Sequence, residues 1–412
     1  NASYAMCKAT GLSNNSLGRV QTPVLAAISR RYRERENHIS SDSWPIYISL
    51  QKDGILFKMR RTQDLPDKES ATMFFQDCKL SHQAQITGIS HSVKEILPPD
   101  LLDLTQLQKE ANIRYGYTAS EVYDIAQSLY EKKLISYPRT SSRYLTEDVF
   151  DSLPPIMARL LSWELFPAAK GTGGIDISNL SRHVISAEKA NVHHAIIITG
   201  IRPGNLSEKE MQVYRLVAGR MLETFMAPCR IETTNVEAVC AAQHFKAEQT
   251  RIIEAGWHDV FMRSDMVPKS GYSVNELPEV EKGDNLNVCG CNMVHKKQLP
   301  VNPFTDAELV EYMEQNGLGT VSSRTNIIRT LVNRKYIRYS GKYIVPTPKG
   351  MFTYETIRGK KIADTSLTAD WEKQLAGLES GMITGQDFLN RIRTLAKEMT
   401  DDIFNTYSTK EE

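Results

Sequence analysis

Cysteine is scarce in this chain and is not arranged as a metal or disulfide framework. Six cysteines are spread over 412 residues, at positions 7, 78, 229, 240, 289 and 291, and no pair has the C-x-x-C spacing of a zinc ribbon. Disulfide scaffolds are typical of short secreted domains, so none is expected at this length. The one close pair, Cys289-Gly-Cys291, is typical of strand cysteines that flank a glycine. We therefore expect neither a zinc ribbon nor a disulfide framework.

The chain also lacks a large net charge and any long apolar run. Its formal net charge is +1, so a DNA site would have to come from local clusters of basic residues. Two candidates are Arg30-Arg-Tyr-Arg-Glu-Arg35, which is also typical of a solvated helix face, and Lys132-Lys133 together with Arg139 and Arg143. No run of about 18 apolar residues occurs, and no signal-peptide layout opens the chain. We expect a cytosolic protein with no membrane partner.

The periodicity of apolar residues changes four times along the chain. Helical spacing gives way to alternation near residue 40, returns near 98, gives way again near 228 and returns near 300. Two β stretches of this size could not easily bury their faces separately, so nesting is favoured over five independent units. The predicted domains are a helical domain of 1–39 with 301–412, a β domain of 40–97 with 228–300, and a helical domain of 98–227.

Several local signals fix elements within these domains. Asp53-Gly54 between two alternating runs predicts a β-hairpin. Capping boxes begin at Thr118, Ser207 and Thr305. After the last of these, a helix ending near residue 316, a second helix from Ser322 or Ser323 and a hairpin over 336–345 have the layout of a winged helix.

One stretch carries the chemistry: Leu134-Ile-Ser-Tyr-Pro-Arg-Thr-Ser-Ser-Arg-Tyr144. Pro138 biases Tyr137 toward an extended backbone, so the phenol is presented from a stiff strand end. A phenol with a pKa of about 10 is a poor nucleophile unless nearby charge stabilises the reaction, and arginine forks suit phosphate oxygens. Taken alone, the stretch fits equally well a core tyrosine in a turn with solvated arginines.

Four segments of the sequence resemble the motifs of type IA DNA topoisomerases (the topoisomerase I/III family). They occur in family order and at family-like spacing. The segments are Gly18-Arg-Val-Gln-Thr-Pro23, Ile135-Ser-Tyr-Pro-Arg-Thr140, Val192-His-His-Ala-Ile196, and Asn316-Gly-Leu-Gly-Thr320 continuing through Arg324 to Tyr336-Ile337.

The resemblance implies a fold and a reaction. The fold is α+β, a multidomain toroidal core in which a β arch joins two helical, winged-helix-like domains around a DNA-sized hole. The reaction cleaves, passes and reseals a DNA strand through a 5′-phosphotyrosine and needs no ATP. The expected partner is single-stranded DNA or underwound duplex DNA, and the expected state is a nucleoid-associated cytoplasmic monomer.

The resemblance also assigns residues. Tyr137 is the expected nucleophile, Arg139 the stabiliser of phosphorane charge, and His193 a donor to the scissile phosphate. The expected contacts to the DNA backbone are Arg19, Gln21, Arg143, His194, Thr320, Ser323, Arg324 and Arg334.

The sequence departs from the family pattern at three positions. Ser141 stands where the family commonly has aspartate, Val192 replaces an aspartate that often precedes the paired histidines, and Ile198 takes the place of a proline. Each departure removes a feature that orients Arg139 or His193.

The acidic metal-binding (TOPRIM) domain that the family places before the GRVQ segment is not recognisable in this sequence. We therefore expect the chain to be the part that follows that domain. Mg²⁺ would belong to the missing part, and no metal would be held by this chain. Alone, the chain is expected to bind single-stranded DNA weakly and not to relax supercoils.

Two other classes of protein are compatible with parts of the pattern. A tyrosine recombinase also uses tyrosine, arginine and histidine on phosphate, but its tyrosine follows the basic residues, whereas Tyr137 precedes His193. A non-catalytic winged-helix DNA-binding protein would keep its function without the tyrosine hydroxyl.

Overall fold

The protein is described from a computed structural model that covers residues 2–10, 15–163, 165–166, 175–190, 193–261, 269–379 and 381–408. Val192, one of the three departures named above, lies outside these residues. The helices are α1 (Ala2–Thr10), α2 (Gln21–Glu36), α3 (Lys68–Leu80), α4 (Leu104–Tyr115), α5 (Ala119–Glu131), α6 (Glu147–Asp151), α7 (Leu153–Ser162), α8 (Ala187–Ala190), α9 (Glu208–Phe225), α10 (Asp306–Gln315), α11 (Val321–Asn333), α12 (Pro348–Ile357), α13 (Thr365–Glu379) and α14 (Gly385–Ser408). The strands are β1 (Asp42–Ser43), β2 (Ile46–Lys52), β3 (Ile55–Arg61), β4 (Gln83–Ile96), β5 (Cys229–Cys240), β6 (Gln243–Glu254), β7 (Asn285–Met293), β8 (Lys296–Lys297), β9 (Phe304–Thr305), β10 (Ile337–Ser340) and β11 (Tyr343–Pro346). The fold is α+β, as predicted.

Six antiparallel strands form a sheet that closes on itself in the order β2-β3-β6-β5-β4-β7. The predicted hairpin turn is confirmed, because Asp53 and Gly54 both have positive φ between β2 and β3. Along β2 the alternate residues Ile46, Ile48 and Leu50 are buried in a core inside this sheet. Closure pairs β7 with both β2 and β4, so the two β stretches predicted from sequence share one core.

Helix α3 was not predicted from the sequence. Asp67 caps its N-terminus by accepting a hydrogen bond from the Ser70 N–H. Ala71 and Cys78 of this helix are buried, and Phe74 and Phe75 pack against the core inside the sheet.

A second core is built from helices of the middle of the chain. The predicted capping boxes at Thr118 and Ser207 are confirmed at the starts of α5 and α9, and most of α9 is buried. Trp257, which follows β6, is buried in this helical core and donates its indole N–H to the Ile96 carbonyl, 2.9 Å away. This bond fastens the segment after β6 to the end of β4, while the domain boundaries remain a prediction.

A third core joins α2 to α10, α11 and a small sheet of order β10-β11-β9. The predicted order of helix, helix and hairpin is observed, with the capping box at Thr305 confirmed. Strand β9 was not predicted. The assignment to the winged-helix class remains a prediction.

Polar contacts join the second and third cores. The Arg329 side chain donates to Ser120 Oγ at 2.9 Å and to Asp124 Oδ2 at 2.8 Å. The Gln108 amide donates to Thr325 Oγ1 at 2.9 Å, and Lys109 pairs with Glu311 at 2.7 Å. Helices α4 and α5 are thus bound to α10 and α11 by hydrogen bonds and ion pairs.

The basic run at the end of α2 makes intramolecular contacts. The Arg31 guanidinium lies 4.1 Å from the centroid of the Phe304 ring and donates to the Asn302 carbonyl at 2.7 Å. Arg33 pairs with Glu355, and Arg35 donates to Asn302 Oδ1. The run therefore fastens α12 and the segment before β9 to α2.

Helix α14 packs against α1 through a small core that includes Met399. Within the part of the chain that the structure describes, no helix is both long and apolar enough to cross a membrane.

Asp306 is a buried carboxyl where the second and third cores meet. Its Oδ1 accepts from the Ala119 N–H at 3.2 Å and from the Tyr339 hydroxyl at 3.1 Å. Burial raises the pKa of Asp306 to about 6, against the lowering effect of these two donors, and Glu121 raises it further. A carboxyl whose pKa is raised on folding contributes stability below its unfolded pKa, and that contribution is lost as the pH rises through the folded pKa.

We predict that Asp306→Asn makes the protein more stable than wild type at pH 7, by on the order of 1–3 kcal/mol, with the difference vanishing near pH 4. The amide oxygen still accepts both hydrogen bonds, and the penalty of a buried charge is removed. The measurement is the free energy of unfolding in denaturant from pH 4 to 8. Asp67→Asn is the control, because hydrogen bonds from Ser70 lower the pKa of Asp67 and its contribution is lost only as the pH falls. Parallel pH profiles for wild type and Asp306→Asn would contradict the prediction.

Candidate active site

A short antiparallel pairing brings Tyr137 and His193 together. Ile135 forms a bridge with Ile198, and the Ser136 N–H donates to the Ile197 carbonyl at 2.8 Å. The Ser136 hydroxyl adds two bonds, donating to the Ala195 carbonyl at 3.0 Å and accepting from the Ile197 N–H at 2.9 Å. The chain leaving α5 is therefore laid beside the segment that follows the paired histidines.

Thr140 fixes the turn that follows Tyr137. Its hydroxyl donates to the His193 carbonyl at 2.9 Å and accepts from the Ser142 N–H at 3.0 Å. Its own carbonyl accepts from the Leu104 N–H at 3.1 Å. Because Thr140 is 3% exposed, these bonds are shielded from water and hold His193 against the Tyr137 turn.

The Tyr137 ring lies between two other rings. The His193 imidazole centroid is 4.4 Å away with an interplanar angle of 44°, and the Tyr130 ring makes an edge contact at 5.4 Å and 78°. Tyr137 is half-buried and His193 is exposed, so both can be reached from solvent. An imidazole at this distance can exchange a proton with groups that react at the phenol.

Arg139 is held by neutral groups. Its Nη2 donates to Gln127 Oε1 at 3.3 Å, and its guanidinium carbon lies 5.0 Å from the centroid of the Tyr123 ring. Its Nε is buried and makes no hydrogen bond. No carboxylate compensates the charge in these contacts, so the guanidinium remains available to an anion.

Arg143 and Arg324 differ from Arg139 because each is paired with a carboxylate. Arg143 Nε donates to Asp103 Oδ2 at 2.7 Å, and Arg324 Nη1 lies 3.1 Å from Glu314 Oε1. Burial raises the pKa of Asp103 although Arg143 acts to lower it. Arg324 is also buried and binds Thr105 Oγ1 at 3.1 Å. Their assignment as DNA contacts remains a prediction.

Gln21 and Arg334 form one hydrogen-bonded group. Arg334 Nη1 donates to Gln21 Oε1 at 2.9 Å and to Ser16 Oγ at 2.6 Å, and Gln21 Nε2 donates to the Ser16 carbonyl at 3.0 Å. The neighbouring Arg19 guanidinium lies 5.4 Å from the centroid of the Trp371 ring. The two predicted motifs that contain these residues are therefore adjacent in the fold.

The N-termini of α2 and α11 lie close together. Gly319 has φ +75°, and a Cβ there would lie 3.6 Å from Val20 Cγ1 and 2.8 Å from Ser323 Oγ. The Thr320 N–H donates to Ser323 Oγ at 2.9 Å in the cap of α11. The N-terminal end of a helix favours a negative charge such as a phosphate.

The structure places Tyr137 beside His193, and Arg139 and Tyr137 both contact helix α5. His194 is half-buried, and its Nδ1 lies 2.7 Å from the Ala195 carbonyl. Sequence reasoning missed four neighbours of the site: Tyr123, Gln127, Tyr130 and Asp103. The first three recur at helical spacing directly before the tyrosine motif, and this signal was available in the sequence.

The described residues do not suit a metal. Among them no three histidine, cysteine, aspartate or glutamate side chains lie close enough to hold an ion.

Comparison with known proteins gives consistent matches. A family model described as DNA topoisomerase matches residues 1–390. The chain is 30% identical over 413 residues to DNA topoisomerase 3 of Bacillus licheniformis and 30% identical over 399 residues to DNA topoisomerase 1 of Methanocaldococcus jannaschii. These alignments cover 94% and 96% of the chain but only 56% and 50% of the relatives, so the chain spans about half the length of the curated relatives it matches. The structure of full-length topoisomerase I from Thermotoga maritima is similar in fold, with a TM-score of 0.73 at 23% identity over 94% of this chain and 64% of that chain.

We predict that Thr140→Val lowers the free energy of unfolding by about 1–3 kcal/mol, because it leaves the buried Ser142 N–H and the His193 carbonyl without partners. Denaturant unfolding measures this change. Thr394→Val is the matched control, since Thr394 is exposed on α14 and bonds only its own helix, and a change within about 0.5 kcal/mol is expected there. Equal effects of the two substitutions would show that Thr140 does not fix the turn.

Proposed function

The chain belongs to the type IA DNA topoisomerase family, and from this we propose that Tyr137 cleaves single-stranded DNA by forming a 5′-phosphotyrosine bond. The observation that carries the proposal is the position of Tyr137 beside the His193 imidazole, with the charge of Arg139 uncompensated in its described contacts. The whole protein's activity is part of the same proposal.

Cleavage is an exchange of one phosphoester for another. The phenol oxygen of Tyr137 bonds to phosphorus as the bond from phosphorus to the 3′-oxygen breaks. The phenol loses its proton and the leaving 3′-oxygen gains one. Resealing is the reverse attack, so the number of phosphoester bonds is unchanged and ATP is not needed.

Arg139 and His193 have separate roles in this exchange. The Arg139 guanidinium stabilises the charge that develops on the phosphorane oxygens, the kind of electrostatic effect that usually contributes most to such steps. His193 donates a hydrogen bond or a proton to the scissile phosphate. Its support by Thr140 keeps the imidazole beside the phenol.

The other predicted residues position the DNA backbone. Arg19, Gln21, Thr320 and Ser323 lie at or next to the adjoining N-termini of α2 and α11, and a helix N-terminus favours phosphate. These contacts hold the strand without reading its sequence. Arg143, His194, Arg324 and Arg334 are the remaining contacts to the DNA backbone in this proposal. The ion pairs of Arg143 and Arg324 compensate part of their charge and so weaken their attraction for a phosphate.

The ring, the winged-helix class and the monomeric state belong to the same proposal. A closed sheet joining two helical cores supports a ring that opens for strand passage. The 412-residue chain by itself binds single-stranded DNA weakly and does not relax supercoils, and Mg²⁺ acts through a domain outside it. Magnesium-dependent relaxation of a supercoiled plasmid by the purified chain would contradict this part.

We predict that the full natural protein, with Mg²⁺ and single-stranded DNA labelled at either end, retains the 3′-end label covalently after denaturation. Tyr137→Phe reduces this adduct to background because the nucleophilic oxygen is lost. Tyr272→Phe is the control, since its hydroxyl binds the Thr62 carbonyl beside the closed sheet.

Each other outcome points to a different class of protein. Retention of the 5′-end label would indicate a 3′-phosphotyrosine, as in a tyrosine recombinase. No adduct from wild type would indicate a DNA-binding protein whose tyrosine is structural.

A further inference from the structure

One face of α5 contacts two of the three proposed catalytic residues. Tyr123, Gln127 and Tyr130 are spaced i, i+4 and i+7, so their side chains lie on the same side of the helix. Tyr123 and Gln127 contact the Arg139 guanidinium, and Tyr130 contacts the Tyr137 ring. The helix is therefore a support for the site, and Gln127 supplies the only hydrogen bond described for Arg139.

The Gln127 amide is oriented by a second contact. Its Nε2 donates to Glu131 Oε1 at 2.8 Å, one turn further along α5. Because the carboxylate accepts only from the NH₂ side of the amide, Oε1 is turned toward Arg139. The opposite orientation would place an NH₂ group against a guanidinium, two donors with no acceptor between them.

We propose that Gln127 is a positioning residue that fixes the Arg139 guanidinium for the phosphorane without neutralising its charge. This rests on the proposed function. A neutral acceptor restricts the arginine's rotation, and the full positive charge remains for the reaction.

The contrast within the molecule supports this reading. Arg143 and Arg324 are held by the carboxylates of Asp103 and Glu314, which orient the arginines and also compensate their charge. A carboxylate at position 127 would do the same to Arg139 and oppose the attraction of phosphate. Glutamine gives orientation alone.

The test is the single-turnover rate of adduct formation by the full natural protein, with Mg²⁺ and saturating labelled single-stranded DNA. Gln127→Met keeps the length of the side chain but has no acceptor, and we expect a rate about 10- to 100-fold lower, the size of effect that misplacing a catalytic group by about 1 Å can have. We expect the affinity for the oligonucleotide to stay within about twofold of wild type. We expect the unfolding midpoint to equal that of wild type within experimental error. Gln127→Glu is expected to be slowed as well, although it can still bind Arg139.

The matched control is Gln386→Met. Gln386 is exposed on α14 and makes the same kind of i to i+4 contact, donating to Asn390 Oδ1 at 3.2 Å. We expect its rate of adduct formation to equal that of wild type.

A double-mutant cycle with Arg139→Lys identifies the route of the effect. If Gln127 acts through Arg139, Gln127→Met slows the Arg139→Lys protein by less than about twofold, because there is no guanidinium left to orient. The same loss in both backgrounds, or a Gln127→Met rate equal to that of Gln386→Met, would overturn the proposal. A loss of rate explained entirely by weaker binding or lower stability would overturn it too. If Gln127→Met does not fold, Gln127→Asn, which keeps the amide one methylene short of Arg139, replaces it with the same expectations.

Failure of this inference can be distinguished from failure of the proposed function. If wild type forms no adduct, the proposed function is wrong. If wild type forms the adduct and the Gln127 variants match it, only the role of Gln127 is wrong.

Discussion

The candidate site depends on the pairing of 134–137 with 195–199. Ser136 contributes three of the hydrogen bonds in this pairing, two through its hydroxyl and one through its N–H. These bonds hold the tyrosine motif beside the segment that follows the paired histidines. The rings of Tyr130, Tyr137 and His193 contact one another next to this pairing.

The charged side chains of this protein differ in whether their contacts compensate their charge. The sequence has 50 basic and 49 acidic residues. Arg143 and Arg324 are paired with carboxylates, and the arginines at the end of α2 fasten neighbouring segments. Arg139, like Arg334, is held by neutral groups, in its case a glutamine amide and a tyrosine ring. A near-neutral protein can in this way present one strong cation at the place where phosphate chemistry is proposed.

Local signals in the sequence predicted local structure well. The capping boxes at Thr118, Ser207 and Thr305 and the turn at Asp53-Gly54 were predictable because each depends on residues within four positions of one another. Sheet closure and strand β9 were missed because long-range pairing defines them. Helix α3 was missed although Ala71, Phe74, Phe75 and Cys78 recur at helical spacing. The residues of the site were identified by their motifs, but the pairing of Arg143 with Asp103 and the burial of Arg324 arise from tertiary packing that no spacing encodes.

The two ends of helix α5 contact different parts of the molecule. Its first turns are bound to the third core through Ala119, Ser120 and Asp124, and its last turns support Arg139 and Tyr137. A helix of 13 residues is a stiff rod roughly 20 Å long. A displacement of α10 and α11 would therefore be transmitted along α5 to its contacts with Arg139 and Tyr137. The contact between the two helical cores and the position of the Tyr137 ring therefore depend on the same helix.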